Sequence, residues 1–343
     1  MNALQNMSAS PKLHRFRRLA RIAAVLAFGV VVLGAYVRLN AAGLGCPDWP
    51  GCYGHLSAAQ AAENLTHIES AYPSRPFEYA KAHKEMVHRY FAASLGLLIL
   101  VLAVFAWSNR RDPEQPLVLP LVLVGLVIFQ GLLGMWTVTL LLKPLIVVLH
   151  LLGGLSTFAL LAWLALAAPD QRDALEHRRL QPLAITALAV LVLQISLGGW
   201  TSSNYAALAC PDFPTCQNSY WPHMDAADAF VLWRGLGTDY EGGVLDHPAR
   251  VAIHFVHRLG AVLAALVIGF TALTVWRRAR SSSLQAAAAL LGLVLVAQLV
   301  LGPLMVMRGM PLDLATAHNA VAALLLAALL RVTRLVSVPA ARL

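Results

Sequence analysis

Four histidines of this 343-residue chain fall inside long apolar stretches, as two pairs at nearly equal spacing. His88 lies 62 residues before His150, and His257 lies 61 residues before His318. A polar side chain within a membrane helix is costly and is usually kept for function. One such histidine reads most simply as a helix–helix hydrogen bond or a step in a proton relay. Four, in duplicated pairs, supply neutral nitrogen donors facing each other in an apolar pocket. That is the set bis-histidine ligation of a heme iron requires. Zinc or copper fits less well, because no thiolate or carboxylate joins the second pair at spanning depth.

The neighbours of these histidines carry further chemistry. Arg89 and Arg258 directly follow His88 and His257. A guanidinium at the outer edge of a heme pocket can pair with a propionate through its fork of donors; the other role open to it is snorkelling at the interface. Glu85 stands three residues before His88, one turn away on the same helix face, where the second pair has His254. A carboxylate at the mouth of an apolar pocket can take a proton or stabilise positive charge developing on a substrate carbon. This asymmetry suggests that the first half does chemistry while the second holds a permanent heme. The four cysteines form two close pairs, Cys46 with Cys52 and Cys210 with Cys216, in polar loops containing Asp-aromatic-Pro. An oxidising compartment favours an intraloop disulfide in each. A structural staple and a thiol–disulfide role in catalysis are both open. His55, His67, His83, His223 and His247, in the same loops, read as solvated residues.

Holding four histidines at one depth needs membrane helices, and the composition demands them. The chain is 59% hydrophobic and 13% charged, with a mean hydropathy of +0.66, so its bulk lies in lipid. A hydrocarbon core of about 30 Å takes roughly 20 apolar residues per helix. Eight segments reach that length, near 19–37, 86–107, 117–138, 144–167, 181–201, 250–276, 284–306 and 312–333. Unpaired backbone in lipid excludes anything but helices or closed barrels, and nothing here alternates with period two. His88 opens the second span and His150 lies early in the fourth. Both spans run outside to inside, so the pair shares an outer depth, and His257 and His318 repeat this on the sixth and eighth spans. The net charge of +9 would suit a nucleic-acid binder. The arginines, however, cluster at 15–21, 110–111, 172–179, 277–280 and 331–342, all on one side of an eight-span chain. The loops at 38–85 and 202–249 hold most of the carboxylates. This is the positive-inside pattern; it places both termini in the cytoplasm and removes the case for nucleic acid. The N-terminus lacks a small-x-small cleavage site after its apolar stretch, so it reads as an anchor, with a short mitochondrial presequence as the lesser alternative.

The chain also repeats itself. GCPDWPGC at 45–52 matches ACPDFPTC at 209–216, EMVHR at 85–89 matches HFVHR at 254–258, and QGLLGMWTV at 130–138 matches QLVLGPLMV at 298–306. The predicted fold is an all-α integral membrane protein of eight helices, a tandem parallel repeat of two four-helix bundles related by a pseudo-twofold axis along the membrane normal. Its parts are a basic cytoplasmic N-terminus (1–18), an N-terminal half (19–167), a cytoplasmic linker (168–180), a C-terminal half (181–333) and a cytoplasmic tail (334–343).

Together these motifs resemble the heme A synthase family. The resemblance rests on ExxHR opening the second span, a histidine in the fourth, HR in the sixth, a histidine in the eighth and paired cysteines in both outer loops. RLNAAGLGCPDWPGC at 38–52 is similar to that family's first outer loop, and the likeness runs from about residue 20 to 333. It implies oxidation of the C8 methyl of heme O to a formyl group, giving heme A for cytochrome oxidase, with water or O2 as the oxygen source. It further implies heme O between His88 and His150, heme B on His257 and His318, and Glu85 as the essential acid. The setting would be the bacterial cytoplasmic membrane, with a heme O synthase upstream and an oxidase-assembly factor downstream, in an oligomeric state the sequence leaves open. A lipid-facing pocket suits a farnesyl-tailed porphyrin. A di-heme cytochrome that only passes electrons is the chief rival. Such proteins stack hemes at different depths on a shared helix pair, whereas both pairs here lie at the outer side in separate bundles. A transporter would need helices broken at the midplane, while Gly131, Gly134 and Gly302 lie near outer helix ends.

Overall fold

The computed structural model describes residues 11–166 and 171–337, without the side chains of 171–173. The N-terminus, the linker and the tail expected at 1–18, 168–180 and 334–343 therefore fall partly outside the described residues. In chain order the helices are α1 (Pro11–Leu39), α2 (Ala58–Ala62), α3 (Leu65–Ala71), α4 (Tyr79–Ser108), α5 (Val118–Thr139), α6 (Pro144–Ala165), α7 (Gln171–His177), α8 (Gln181–Ser203), α9 (Ala226–Ala229), α10 (His247–Arg278), α11 (Ser282–Met307) and α12 (Leu312–Val336). Among the described residues there is no strand, and eight helices are long and apolar enough to cross a membrane: α1, α4, α5, α6, α8, α10, α11 and α12.

Several helices outrun the predicted spans, α1 from Pro11, α4 from Tyr79 and α10 from His247. A helix need not stop where lipid stops, and its polar first turns continue into water. Proline in the first turn of α6, α8 and α10 marks their starts, because its fixed φ suits a helix and its missing N–H would have had no partner there.

The two halves pack alike. In the first, α1 touches α4 and α6, and α5 touches α4 and α6, closing a ring. In the second, α8 touches α10 and α12, and α11 touches α10 and α12. The halves meet through α1 against α12, α6 against α8, and α6 against α12. Exchanging the halves turns the first of these contacts into the second and the third into itself, the signature of a two-fold-like interface.

A shared core fills one end of the molecule, running from Leu13 and Phe16 of α1 through Ile99, Leu161, Ile268 and Leu291 to Val336. Toward the other end the packing opens at one level in all eight spans. No residue is buried at 28–36, 87–94, 124–132, 149–154, 192–198, 255–263, 296–305 or 316–322. These gaps contain all four histidines.

Candidate functional site

Each histidine ring lies against a glycine of an adjacent helix. A Cβ added at Gly34 of α1 would stand 3.0 Å from His88 Cε1, and one at Gly134 of α5 would stand 3.5 Å from His150 Cε1. The second half repeats this, with Gly198 of α8 at 3.2 Å from His257 Cε1 and Gly302 of α11 at 3.5 Å from His318 Cε1. These glycines serve close approach rather than an unusual φ. His150 is near enough to act electrostatically on His88, as is His318 on His257. The Nδ1 atoms of His88, His150 and His318 are buried without partners. Buried polar atoms are nearly always bonded, so orphaned imidazole nitrogens in a loosely packed layer fit a flat group that the polypeptide does not itself supply. Paired neutral imidazoles are the donor set of a low-spin heme.

Above each pocket a disulfide loop is fastened to the helix that carries the first histidine. The bridges are Cys46–Cys52 and Cys210–Cys216. Glu85 Oε2 accepts from the Cys46 N–H at 2.8 Å, while Oε1 pairs with Arg89 Nη2 at 2.5 Å. His254 stands in the same place in the second half: its Nδ1 lies 3.3 Å from the Cys210 nitrogen and its Nε2 3.2 Å from Arg258 Nε, and a neutral imidazole accepts from only one of these donors. Both residues are buried. One architecture thus holds a carboxylate in the first half and an imidazole in the second.

The two arginines are engaged with these loops. Arg89 donates to the carbonyls of Asp48 at 3.0 Å, Pro50 at 3.2 Å and Gly51. Arg258 donates to Thr215 O at 2.8 Å and Cys210 O at 2.7 Å. Inside the first loop the Asp48 carboxylate accepts from Tyr53 N at 2.6 Å and Gly54 N at 2.7 Å. Asp212 does the same for Gln217 and Asn218, and the Thr215 hydroxyl with those amides holds its carboxyl down at about 2. Gly45 is needed where the first loop crosses α4, because a Cβ there would lie 2.6 Å from the Lys81 carbonyl carbon.

The second half also roofs the first. Arg75 pairs with Asp239 at 2.6 Å and Glu241 at 2.7 Å, Tyr240 N donates to Leu141 O at 3.1 Å, and Lys143 donates to Gly235 O beneath the Trp233 ring. Burial pushes the Lys143 ammonium below its ordinary range. These contacts have no short-range sequence signal, and neither do the glycines Gly34 and Gly198. Only superposing the repeats on their cysteines would have put Gly34 opposite Gly198. Of the loop histidines, His67, His83, His223 and His247 are exposed and His55 is half-buried.

Fold and site define an integral membrane protein of two like four-helix units, each with a paired-histidine pocket under a disulfide loop. The family model described as cytochrome oxidase assembly protein, COX15-CtaA, matches residues 17–330, and the chain belongs to that family. It is 44% identical to the heme A synthase of Shewanella oneidensis, over 92% of this chain and 94% of the relative. It is also similar to the heme A synthases of Rhizorhabdus wittichii, at 28% identity over 94% of both chains, and Beijerinckia indica, at 30% over 88% of both.

Opening either bridge should cost stability, because closing a loop of this length is worth about 2 kcal/mol. Serine at Cys46 and Cys52, or at Cys210 and Cys216, is expected to lower the melting temperature in detergent by similar amounts. Only the first pair should also lower activity, since it alone frees the N–H that holds Glu85.

Proposed function

We propose that this chain is a heme A synthase, a membrane oxidoreductase that converts the C8 methyl of heme O to a formyl group and so supplies heme A for cytochrome oxidase. The observation that carries this reading is the exchange of Glu85 for His254 within two otherwise matching pockets. His88 and His150 flank heme O in the N-terminal half, 19–167, and His257 and His318 ligate heme B in the C-terminal half, 181–333. When bound, heme B would supply one-electron redox chemistry.

The polypeptide does the rest. Turning the methyl into a formyl group takes one oxygen atom from water or O2 and, with water, passes four electrons to an acceptor outside this chain and releases four protons; Glu85 is the base one turn from the histidine that faces the substrate and takes a proton released at the methyl carbon. Its two hydrogen-bonded oxygens fix the carboxylate before substrate arrives, so no reorganisation is needed as positive charge develops. His254 removes that negative charge from the second pocket, which leaves its heme unmodified. Arg89 and Arg258 form the rims, where they fasten the loops and keep their remaining N–H donors for a propionate. The arginine clusters support a bacterial inner-membrane location with both termini cytoplasmic. A heme O synthase and an oxidase-assembly factor are the partners this chemistry calls for.

The test is to purify the protein from cells that also express a heme O synthase, extract its hemes and identify them by chromatography and mass. Heme A or a hydroxylated intermediate is expected. Two equivalents of unmodified heme would make the protein an electron-transfer cytochrome, and no heme at all would sink the argument from the four histidines.

A further inference from the structure

Groups that can hold a carboxylate gather at the outer end of the second pocket. Arg38, in the last turn of α1, crosses to the other half. Its Nη2 donates to Ser202 O at 3.0 Å, and its guanidinium lies 4.3 Å from the centre of the Tyr205 ring. Ser202 stands one turn beyond Gly198, the glycine that lies against His257. Arg250, in the first turn of α10, precedes His257 by seven residues. That is two turns on the same face, about 10 Å nearer the outside. Arg38 Nε, the Tyr205 hydroxyl and Arg250 Nε are all buried without partners. An unpaired buried donor is costly, and more so on a charged group, so these three fit an acceptor that the polypeptide does not itself supply.

The first half has no such set at the matching positions. Counting from the cysteines, Arg38 corresponds to Ser202 and Tyr205 to Ala41. The two-fold image of the arginine on the tyrosine is therefore a serine beside an alanine. Counting from the HR pairs, Arg250 corresponds to Lys81, whose ammonium pairs with Glu78 at 2.8 Å. Arg38 itself starts from the wall of the first pocket, one turn beyond Gly34, but Ser202 and Tyr205, which its guanidinium meets, both belong to the second half.

We propose that Arg38, Tyr205 and Arg250 bind the propionates of the C-terminal heme, so that this heme takes part of its site from the other half. The inference rests on the proposed heme B site and adds what holds the charged edge of the porphyrin. Guanidinium N–H groups match a carboxylate in both charge and shape, and a phenol adds a third donor. An anionic lipid headgroup presents the same chemistry, and the experiment separates the two.

The test follows the C-terminal heme in full-length protein purified in detergent without heme O. Loss to excess apomyoglobin is compared for heme B and for its dimethyl ester, exchanged into the protein, in which both propionates are uncharged. Wild type is expected to lose the ester roughly 10–100-fold faster than the acid, the worth of a charged hydrogen bond. Arg38→Met and Arg250→Met should lose heme B faster but the ester at the wild-type rate, and the double variant should not distinguish them. An arginine that only supports the fold would speed the loss of both. The midpoint potential of this heme should fall in each variant, because losing a cation disfavours the reduced iron. Tyr205→Phe, which removes only a hydroxyl, should narrow the gap between acid and ester even if an arginine variant does not fold. Equal loss of acid and ester from wild type, as when a lipid headgroup fills the site, would overturn the inference alone, as would an undiminished gap in the folded variants. A wild-type protein that carries no heme in its second half would overturn the proposed function and this inference with it.

Discussion

Glu85→Ala is expected to abolish heme A formation, by at least about 100-fold per enzyme, while the optical spectrum of the C-terminal heme stays as in wild type. A positioned acid or base contributes about 10²–10⁴-fold, and nothing else in the first pocket replaces this one: the equivalent position in the other half is an imidazole. Alanine also does structural damage. The Glu85 side chain is 6% exposed and its Arg89 partner 13%, and breaking such a pair costs about 3–5 kcal/mol because a charge is left uncompensated. The Cys46 N–H would lose its acceptor as well. Glu85→Gln keeps the size of the side chain and one of its two bonds, since its amide oxygen can accept from Cys46 or from Arg89 while its NH2 faces the other donor, and it carries no charge and takes no proton. If Glu85 acts chemically, Glu85→Gln folds, keeps its C-terminal heme and accumulates heme O. Near-normal heme A in Glu85→Gln would mean that the residue only pins the loop, and the chemical role would have to be abandoned. Glu85→His should behave like Glu85→Gln, because it turns the first pocket into a copy of the second.

The elements that position the site were legible because their signals are local or repeated. Twenty apolar residues announce a span from within, and His88, His150, His257 and His318 announce themselves as polar residues that recur at matched intervals. Glu85 could be singled out because the HR pairs gave a register in which His254 stood opposite. What stayed hidden depends on contacts between distant segments. Arg89 reads from sequence as a propionate partner or a snorkelling interfacial residue, and the sequence gives no sign of its bonds to carbonyls 38 to 41 residues earlier in the chain. Helix ends went astray for a simpler reason. Hydropathy marks where lipid ends, whereas α4 continues from His88 back to Tyr79 on hydrogen bonds that water tolerates.

His257→Ala should strip the C-terminal heme, with affinity falling by more than the roughly 100-fold upper effect of losing a ligand's hydrogen-bond partner, whereas His88→Ala should leave that heme in place and lose heme O and heme A. The opposite responses follow from the separation of the pockets: His257 neighbours His318 and His88 neighbours His150, and among the described residues no hydrogen bond joins one pair to the other. His257→Ala also leaves a hole beside Gly198, whose missing side chain already makes room for the imidazole ring. A cavity so shaped accepts the fragment that was removed, so millimolar imidazole is expected to restore a low-spin heme in His257→Ala and to do nothing in His257→Leu, where the hole is filled. Heme content and the reduced-minus-oxidised spectrum, read with and without imidazole, decide the matter. Should His257→Ala keep its low-spin heme while His88→Ala loses it, the assignment of the two halves is reversed, and Glu85 then belongs to the pocket of the permanent heme and cannot be the base that acts on the substrate.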